Sequence, residues 1–326
     1  MELFVNDSTD PAFNLALEEL LAAEYPGEFL MLWRNGPSII VGRNQNTLAE
    51  IDADIVRARG IPVVRRTTGG GAVYHDLGNI NYTIAKNGRL TGGAAFAECA
   101  QVVVAALRKM GAPAEFSGRN DIIVDGRKVS GSAKRVLEER TLFHGTMLFD
   151  TDLSVLETVL RPDTEKIRSK GIKSVRSRVM NLREIFPEWR MDDFRRAFRA
   201  ALLEELKLDG ASPLPEGFAP RAEELADRRY RTREWNFGSA YPFEFRRRGR
   251  FPGGSVEVAA RIENNRIAEV RFYGDFFSED DVQNLVNQLV GTSINKEELS
   301  RTLQSINVNR YFNNVTADDL LTLFTH

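Results

Sequence analysis

The chain has 326 residues, 42% of them hydrophobic, and a formal net charge of -2, which is length and apolar content enough for a large domain beside a small one. A near-zero balance gives no global electrostatic case for nucleic acid, so any anion site must be local. The single cysteine, Cys99, excludes an internal disulfide framework and a cysteine-rich zinc site; with no basic and apolar leader and no membrane-length apolar run, a soluble cytosolic protein is expected, with neither nucleic acid nor membrane as partner.

Glu2 to Val5 reads as a short strand, and Asp10-Pro11 as the N-cap and first-turn proline of a helix to about Ala23, with Phe13, Leu17, Leu20 and Leu21 on its buried face. Phe29 to Arg34 and Ser38 to Arg43 are expected strands around Asn35-Gly36-Pro37, a predicted hairpin. A second helix, roughly Leu48 to Arg59, should stop at Gly60. The apolar run Ile61 to Val64 then leads, as a strand, into Arg65-Arg66-Thr67-Thr68-Gly69-Gly70-Gly71-Ala72-Val73-Tyr74-His75-Asp76. Consecutive glycines between strands expose backbone N–H groups and admit a close neighbour, and two arginines upstream add bidentate donors, which suits a phosphate or a carboxylate. A tight turn flanked by solvated arginines fits the same residues.

Val73 to Asp76 and Asn79 to Ala85 read as strands around Leu77-Gly78, and Ala94 to Met110 as a longer helix whose apolar face includes Cys99. Cys99 therefore reads as a core residue rather than a nucleophile. Asp125-Gly126 is a strong two-residue hairpin turn between Asp121 to Val124 and Lys128 to Ser130. A strand over Leu142 to Phe149 and a helix over Leu153 to Leu160 follow. From Arg161 to Arg183 eight cations face only Asp163 and Glu165, a loop that either waits for an anion or is a solvated basic surface. Helices are expected at Asp192 to Leu206 and Arg221 to Arg231. Beyond about Tyr241, alternation at Val256, Val258, Ala260 and Ile262 and at Ala268, Val270 and Phe272, about a turn at Asn264-Asn265, marks half-buried antiparallel strands. A helix carrying Val282, Leu285, Val286 and Leu289 starts at a capping-box-like Ser278 and Asp281.

Arg65 to Asp76, Ser117-Gly118-Arg119-Asn120-Asp121, Lys128-Val129-Ser130-Gly131-Ser132-Ala133, His144-Gly145-Thr146 and Ser174-Val175-Arg176-Ser177-Arg178, in that order, closely resemble the lipoate–protein ligases. The resemblance runs from Leu3 to the end of the chain. It implies an α+β fold of the biotin/lipoate ligase type, with mixed, largely antiparallel sheets: a catalytic domain over 1–240 and a small α+β accessory domain over 241–326. The biotin ligases themselves are set apart by their Gly-Arg-Gly-Arg loop, which is absent here.

The activity implied by the resemblance has two steps. Lipoate and ATP give lipoyl-adenylate and pyrophosphate, and the ε-amine of a lysine on an apo lipoyl domain, of a 2-oxoacid dehydrogenase E2 subunit or the glycine cleavage H protein, then displaces AMP. Lipoate is already ionised at neutral pH, so the first step needs cations rather than a base. Lys128 matches the family's lysine between lipoyl carbonyl and α-phosphate, and a compact ammonium can serve both oxygens. By the same match Arg66, Gly71, Ala72, Val73, Tyr74, Asn120, Ser174 and Arg176, with Lys128, are expected to bind ATP or the adenylate. Arg66, Gly70, His75 and Lys128 are expected to touch lipoate, and Asp121 to hold Mg2+. His75 and His144 read as hydrogen-bonded structural residues. Two alternatives stand beside the ligase: a lipoyl- or octanoyltransferase of the same superfamily, using preformed lipoyl-AMP or a cysteine thioester, and a non-catalytic module that binds lipoate or nucleotide.

Overall fold

The computed structural model describes residues 1–91, 94–118, 120–160, 178–238 and 243–325. Its elements in chain order begin with strand β1 (Glu2–Val5), helix α1 (Pro11–Glu24), β2 (Phe29–Trp33), β3 (Ser38–Val41), α2 (Thr47–Glu50), α3 (Ala53–Ala58), β4 (Val63–Arg65), β5 (Val73–His75) and β6 (Asn79–Asn87). Next come α4 (Ala94–Lys109), β7 (Ala114–Ser117), β8 (Asp121–Val124), β9 (Arg127–Val136), β10 (Arg140–Leu148), α5 (Leu153–Val159), α6 (Met191–Leu206), α7 (Phe218–Leu225) and α8 (Arg233–Phe237). The C-terminal part holds β11 (Phe245–Phe251), β12 (Gly254–Glu263), β13 (Arg266–Gly274), α9 (Val282–Leu289), α10 (Lys296–Gln304) and α11 (Ala317–Thr325).

A mixed sheet in the order β1-β2-β6-β10-β9-β8-β7 is the centre of the molecule, antiparallel throughout except for the parallel pair β1 and β2. Helices α4 and α6 cover one face, where Leu30, Ile84, Phe96, Cys99, Leu107, Phe143, Phe194 and Phe198 form one core. The other face carries α1 and α7 through Leu15, Leu21, Phe29, Met31, Ala85 and Leu225. A second sheet, β4-β3-β5, buries Ile39, Val41 and Tyr74 against Ile51 and Val159. The α+β class expected from the motifs is the one observed. In the C-terminal part Val256, Val258 and Ala260 alternate into a separate core with Leu285, Leu289 and Phe312, and left-handed Asn264 and Asn265 close its hairpin.

Local chemistry accounts for the starts and turns. The Asp10 carboxylate accepts the N–H groups of Ala12 and Phe13 at 2.8 and 3.4 Å, with Pro11 beside it to begin α1. Asp125 and Gly126 both have positive φ, 49° and 73°, so the turn matches strand twist and pins β8 against β9. Elsewhere the sequence expectations need correction. β2 and β3 do not form a hairpin; they lie in different sheets, because Asn35 is fully buried and Gly36 N–H donates to Thr9 O at 2.8 Å. The expected second helix breaks into α2 and α3, since Ile51 bridges to Leu160 and Asp52 caps Ile55 N–H at 3.1 Å. In α1, Phe13 and Leu20 are only partly buried, whereas Asn14 and Glu18 are buried. Asp281 caps α9 through Gln283 N–H, without Ser278.

Where the chain crosses between the two sheets, side-chain amides carry the connection. Asn6 donates to Asn14 at 2.8 Å, Asn14 to Asn35 at 2.9 Å, and Asn35 to His75 Nδ1 at 3.0 Å. Burial, then the Arg66 charge, pushes the His75 imidazole down to about 3. The folded protein thus holds His75 neutral while the unfolded chain protonates it below its ordinary value of about 6.5. His75 therefore stabilises the fold above pH 6.5, and that contribution is lost as pH falls toward 3. Urea denaturation of His75→Asn at several pH values should show a shallower acid loss than the parent, by up to about 1.4 kcal/mol per pH unit. Parallel curves would contradict the assignment.

Candidate functional site

The glycine loop is held from below by its own arginines. Arg65, at the end of β4, donates through Nη1 to Gly42, Arg43 and Gln45 carbonyls at 2.9, 3.0 and 2.7 Å, and through Nε to Trp235 O at 2.8 Å. Arg66 donates through Nη2 to Gly69 O and Gly71 O at 2.7 and 2.8 Å, through Nη1 to Ile40 O at 3.1 Å, and through Nε to Thr68 Oγ1 at 2.9 Å. Burial pushes both guanidinium groups down to about 10, still charged at neutral pH. The two arginines, read from the sequence as donors to an anion or as solvated flanks of a turn, are buried and give these donors to protein oxygens, and Arg66 braces the loop through Thr68, Gly69 and Gly71. Gly70 has φ 91°, a left-handed conformation that a Cβ would strain.

A continuous chain of hydrogen bonds links this loop to the large sheet. Thr68 Oγ1 lies 2.8 Å from His144 Nε2, and His144 Nδ1 lies 2.9 Å from both oxygens of Glu18. Thr83 donates to Glu18 at 2.6 Å and accepts Trp33 Nε1–H at 2.8 Å. Arg66 Nε–H occupies a Thr68 lone pair, so the Thr68 hydroxyl hydrogen is free to donate to His144 Nε2, and Nδ1–H then donates to Glu18. Glu18, 1% exposed, and Arg66, 5% exposed, compensate each other through two intermediaries rather than by contact.

Lys128 owes its position to a β-bulge. Asp121 pairs with Gly131 and Ile122 with Ser130, but Ile123 pairs with Lys128, so Val129 is an extra residue in β9. Lys128 and Gly131 are three apart and would point to opposite faces of a regular strand. The bulge restores the parity. Lys128 Nζ lies where a Cβ on Gly131 would come within 2.6 Å, and 2.7 Å from Asp121 Oδ1. That contact is oblique, giving charge compensation without an aligned hydrogen bond. Both side chains remain about one-third exposed, at 35% and 36%. Asn120 donates to Ser132 O at 2.5 Å, and Thr146 Oγ1 lies 3.3 Å from Gly131 N.

The structure therefore brings Arg66, Gly70, His75 and His144 together at one end of the site and Lys128, Asp121 and Asn120 at the other, joined by the shared β10 face of His144 and Thr146. Gly71, Ala72 and Val73 are partly exposed, whereas the Tyr74 side chain is turned into the core with Ile39 and Val41. Ser174 and Arg176, and with them most of the Lys170 to Arg178 segment, lie outside the described residues. Glu18, Thr68 and Phe277 are neighbours that sequence reasoning missed. Asn14 and Glu18, one turn apart in an otherwise apolar stretch of α1, carried a polar stripe that could have marked Glu18. Nothing local marked Phe277, whose ring lies beside Gly69 and Gly70 and 5.6 Å from the Phe96 ring. Phe276 O accepts Gly70 N–H at 3.4 Å, and Asp281 pairs with Arg43 at 2.7 Å.

Comparison with known proteins identifies the family of the chain. Residues 10–203 match the family model of the lipoyl protein ligase A/B catalytic domain, and residues 240–324 that of the bacterial lipoate protein ligase C-terminus. The lipoate-protein ligase LplJ of Bacillus subtilis is 36% identical over 331 residues, covering 98% of this chain and 99% of the relative. A bi-partite lipoate protein ligase from Thermoplasma acidophilum, studied with its E2 lipoyl domain, superposes with a TM-score of 0.65 at 32% identity over 74% of this chain and 97% of its own. A lipoate-protein ligase A bound with ATP superposes with a TM-score of 0.63 at 30% identity, over 73% of this chain and 98% of its own. The chain belongs to the lipoate–protein ligase family.

Proposed function

We propose that the protein activates lipoate with ATP to lipoyl-adenylate and transfers the lipoyl group to a lysine on apo lipoyl domains of 2-oxoacid dehydrogenase E2 subunits or the glycine cleavage H protein, in the cytoplasm. The observation that carries the reading is the Lys128 ammonium, set over Gly131 by the bulge and turned to the face that also holds His144 and Thr146. A fixed cation is what step one demands, because an anionic carboxylate must meet an anionic phosphate. The same ammonium stabilises the oxyanion when the acceptor amine attacks. Residues 1–240 form the catalytic domain and 241–326 the accessory one. An ATP-bound relative and a relative studied with its E2 lipoyl domain support nucleotide and acceptor.

The other roles follow the site. Arg66 and Gly70 shape the loop at which lipoate and adenylate meet, with His75 beside them, while backbone groups of Gly71, Ala72, Val73 and Tyr74 line the nucleotide. Asn120, Ser174 and Arg176 complete the adenylate contacts. Among the described residues no group of three or more metal-ligating side chains exists, so the residues fit Mg2+ only as a cation carried mainly by nucleotide phosphates, with Asp121 as its one protein carboxylate. Bound there, it would neutralise phosphate charge. Among the described residues no helix is long and apolar enough to cross a membrane. Transfer through a cysteine thioester is disfavoured. Cys99 is 3% exposed within the core of Phe96 and Val103, and burial pushes its thiol up to about 12.

The reading is tested by mass spectrometry of an apo lipoyl domain after incubation with the protein, lipoate, ATP and Mg2+. A single lipoyl addition on the acceptor lysine from lipoate and ATP is expected; modification from preformed lipoyl-AMP with none from lipoate and ATP would favour a transferase. Lys128→Ala should slow pyrophosphate release by roughly 100-fold or more with unchanged circular dichroism, and release within a few-fold of the parent would refute its role. Cys99→Ser should retain ATP-dependent lipoylation, with any loss confined to stability. An inactive but folded Cys99→Ser, with a thioester trapped in the parent, would reassign the chemistry.

A further inference from the structure

Two chains of side-chain amides end beside the site on donors with no acceptor among the described residues. In the first, Asn79 Oδ1 accepts Met147 N–H at 3.1 Å, so its Nδ2 is the atom that donates to Asn81 at 2.8 Å, and the Asn81 atom receiving it is Oδ1. The opposite end of Asn81 is therefore NH2. Asn81 is 2% exposed, and its Nδ2 is buried with no acceptor among the described residues.

The second chain fixes a tautomer by the same logic. Ser8 N–H donates to Asn6 Oδ1 at 3.1 Å, which makes Asn6 Nδ2 the donor to Asn14 Oδ1 and Asn14 Nδ2 the donor to Asn35 Oδ1. Asn35 Nδ2 must then donate to His75 Nδ1, leaving the hydrogen of the neutral imidazole on Nε2. His75 is 4% exposed, and Nε2 has no partner among the described residues either. A buried donor left unpaired gives up the hydrogen bond that water made to it in the unfolded chain. Native folds pair most such groups, so two of them at one site call for a functional account.

Both donors border the catalytic face. Asn81 stands in register with Thr146 on β10 and with Trp33 on β2. Thr146 in turn bonds Gly131, the glycine beneath Lys128 Nζ. His75 lies close enough to Arg66 to feel its charge. Neither donor carries a positive charge, so neither attracts a counter-ion as Lys128 does; each is suited to a carbonyl or phosphoryl oxygen held in a fixed direction.

We propose that Asn81 is a substrate-binding residue whose Nδ2–H2 group donates to a carbonyl or phosphoryl oxygen of the acyl-phosphate linkage in lipoyl-adenylate, with His75 Nε2–H as its companion donor. The proposal rests on the ligase reading. It separates the work of the site: Lys128 supplies charge, while Asn81 and His75 supply direction, and the acyl-adenylate gives each a partner that no described residue provides.

The test uses the full chain and a non-hydrolysable lipoyl-adenylate analogue. In the asparagine-15N-labelled parent, the side-chain amide resonances of Asn81, assigned by their loss in Asn81→Ala, should move downfield and become protected from exchange at saturation. Asn81→Ala should weaken analogue binding by about 10-fold or more, as the loss of a hydrogen bond worth about 1.4 kcal/mol requires. Asn81→Asp keeps the oxygen that accepts from Asn79 but turns a second oxygen toward the ligand, and should bind more weakly still. A purely structural Asn81 would lower the Tm of the free protein and leave the affinity of folded variants intact. Resonances unmoved at saturation, or Asn81→Ala binding within threefold of the parent, would overturn the proposal, and the labelled parent decides the matter even where a variant fails to fold. An analogue that does not bind the parent at all would overturn the ligase reading together with it.

Discussion

Everything at the site depends on how two buried charges of opposite sign are kept apart and yet compensated. Glu18 sits in α1 against one face of the large sheet, and Arg66 lies under the glycine loop that joins β4 to β5 of the second sheet. Isolated, either would be expensive to bury. Thr68 and His144 bridge them with hydrogen bonds of 2.8 to 2.9 Å, each donor facing one acceptor, so the two sheets are joined by a single polarised line. Arg66 then spends its remaining donors on Gly69 and Gly71 carbonyls. The loop is consequently shaped before any substrate arrives, and its outward N–H groups are set by a charge that never has to touch the ligand.

The reactive cation is placed by a different device. One extra residue in β9, Val129, changes which face Lys128 shares, and a side chain that regular alternation would turn away comes to lie over Gly131 beside Asp121. The pairing with Asp121 leaves the Lys128 side chain about one-third exposed. The C-terminal part meets the loop itself: Phe276 O accepts from Gly70 N–H, and the Phe277 ring packs beside it. The C-terminal part is thereby tied to Gly69 and Gly70 of the loop.

What the sequence made legible was whatever short-range chemistry decides. Asp10-Pro11 capped its helix, Asp125-Gly126 made its hairpin, Cys99 fell on a core face, and the alternation from Val256 gave a sheet with its own core. What stayed hidden was set by partners far along the chain. Asn35-Gly36-Pro37 has the composition of a hairpin turn, but Asn14 and His75 claim the Asn35 side chain and send the next strand into another sheet. Glu18 looks like one more surface acid on a helix until His144, 126 residues away, is seen to bond it. The bulge at Val129 leaves no mark in the sequence of β9, which runs Arg127–Val136. Lys128, Arg66 and Asp121 were reached through their motifs; their partners were not, since no motif records which oxygen a guanidinium holds.

A double-mutant cycle between Glu18 and Arg66 tests most directly whether this indirect charge compensation holds the loop. Unfolding free energies by urea denaturation would be compared for the parent, Glu18→Gln, Arg66→Met and the double variant. The account expects the double variant to be less destabilised than the sum of the single losses by at least about 1 kcal/mol, because each single change strands the other buried charge. Losses that add within about 0.5 kcal/mol would contradict it, and would mean that Glu18 and Arg66 are satisfied locally and that the line through Thr68 and His144 carries no energy between them.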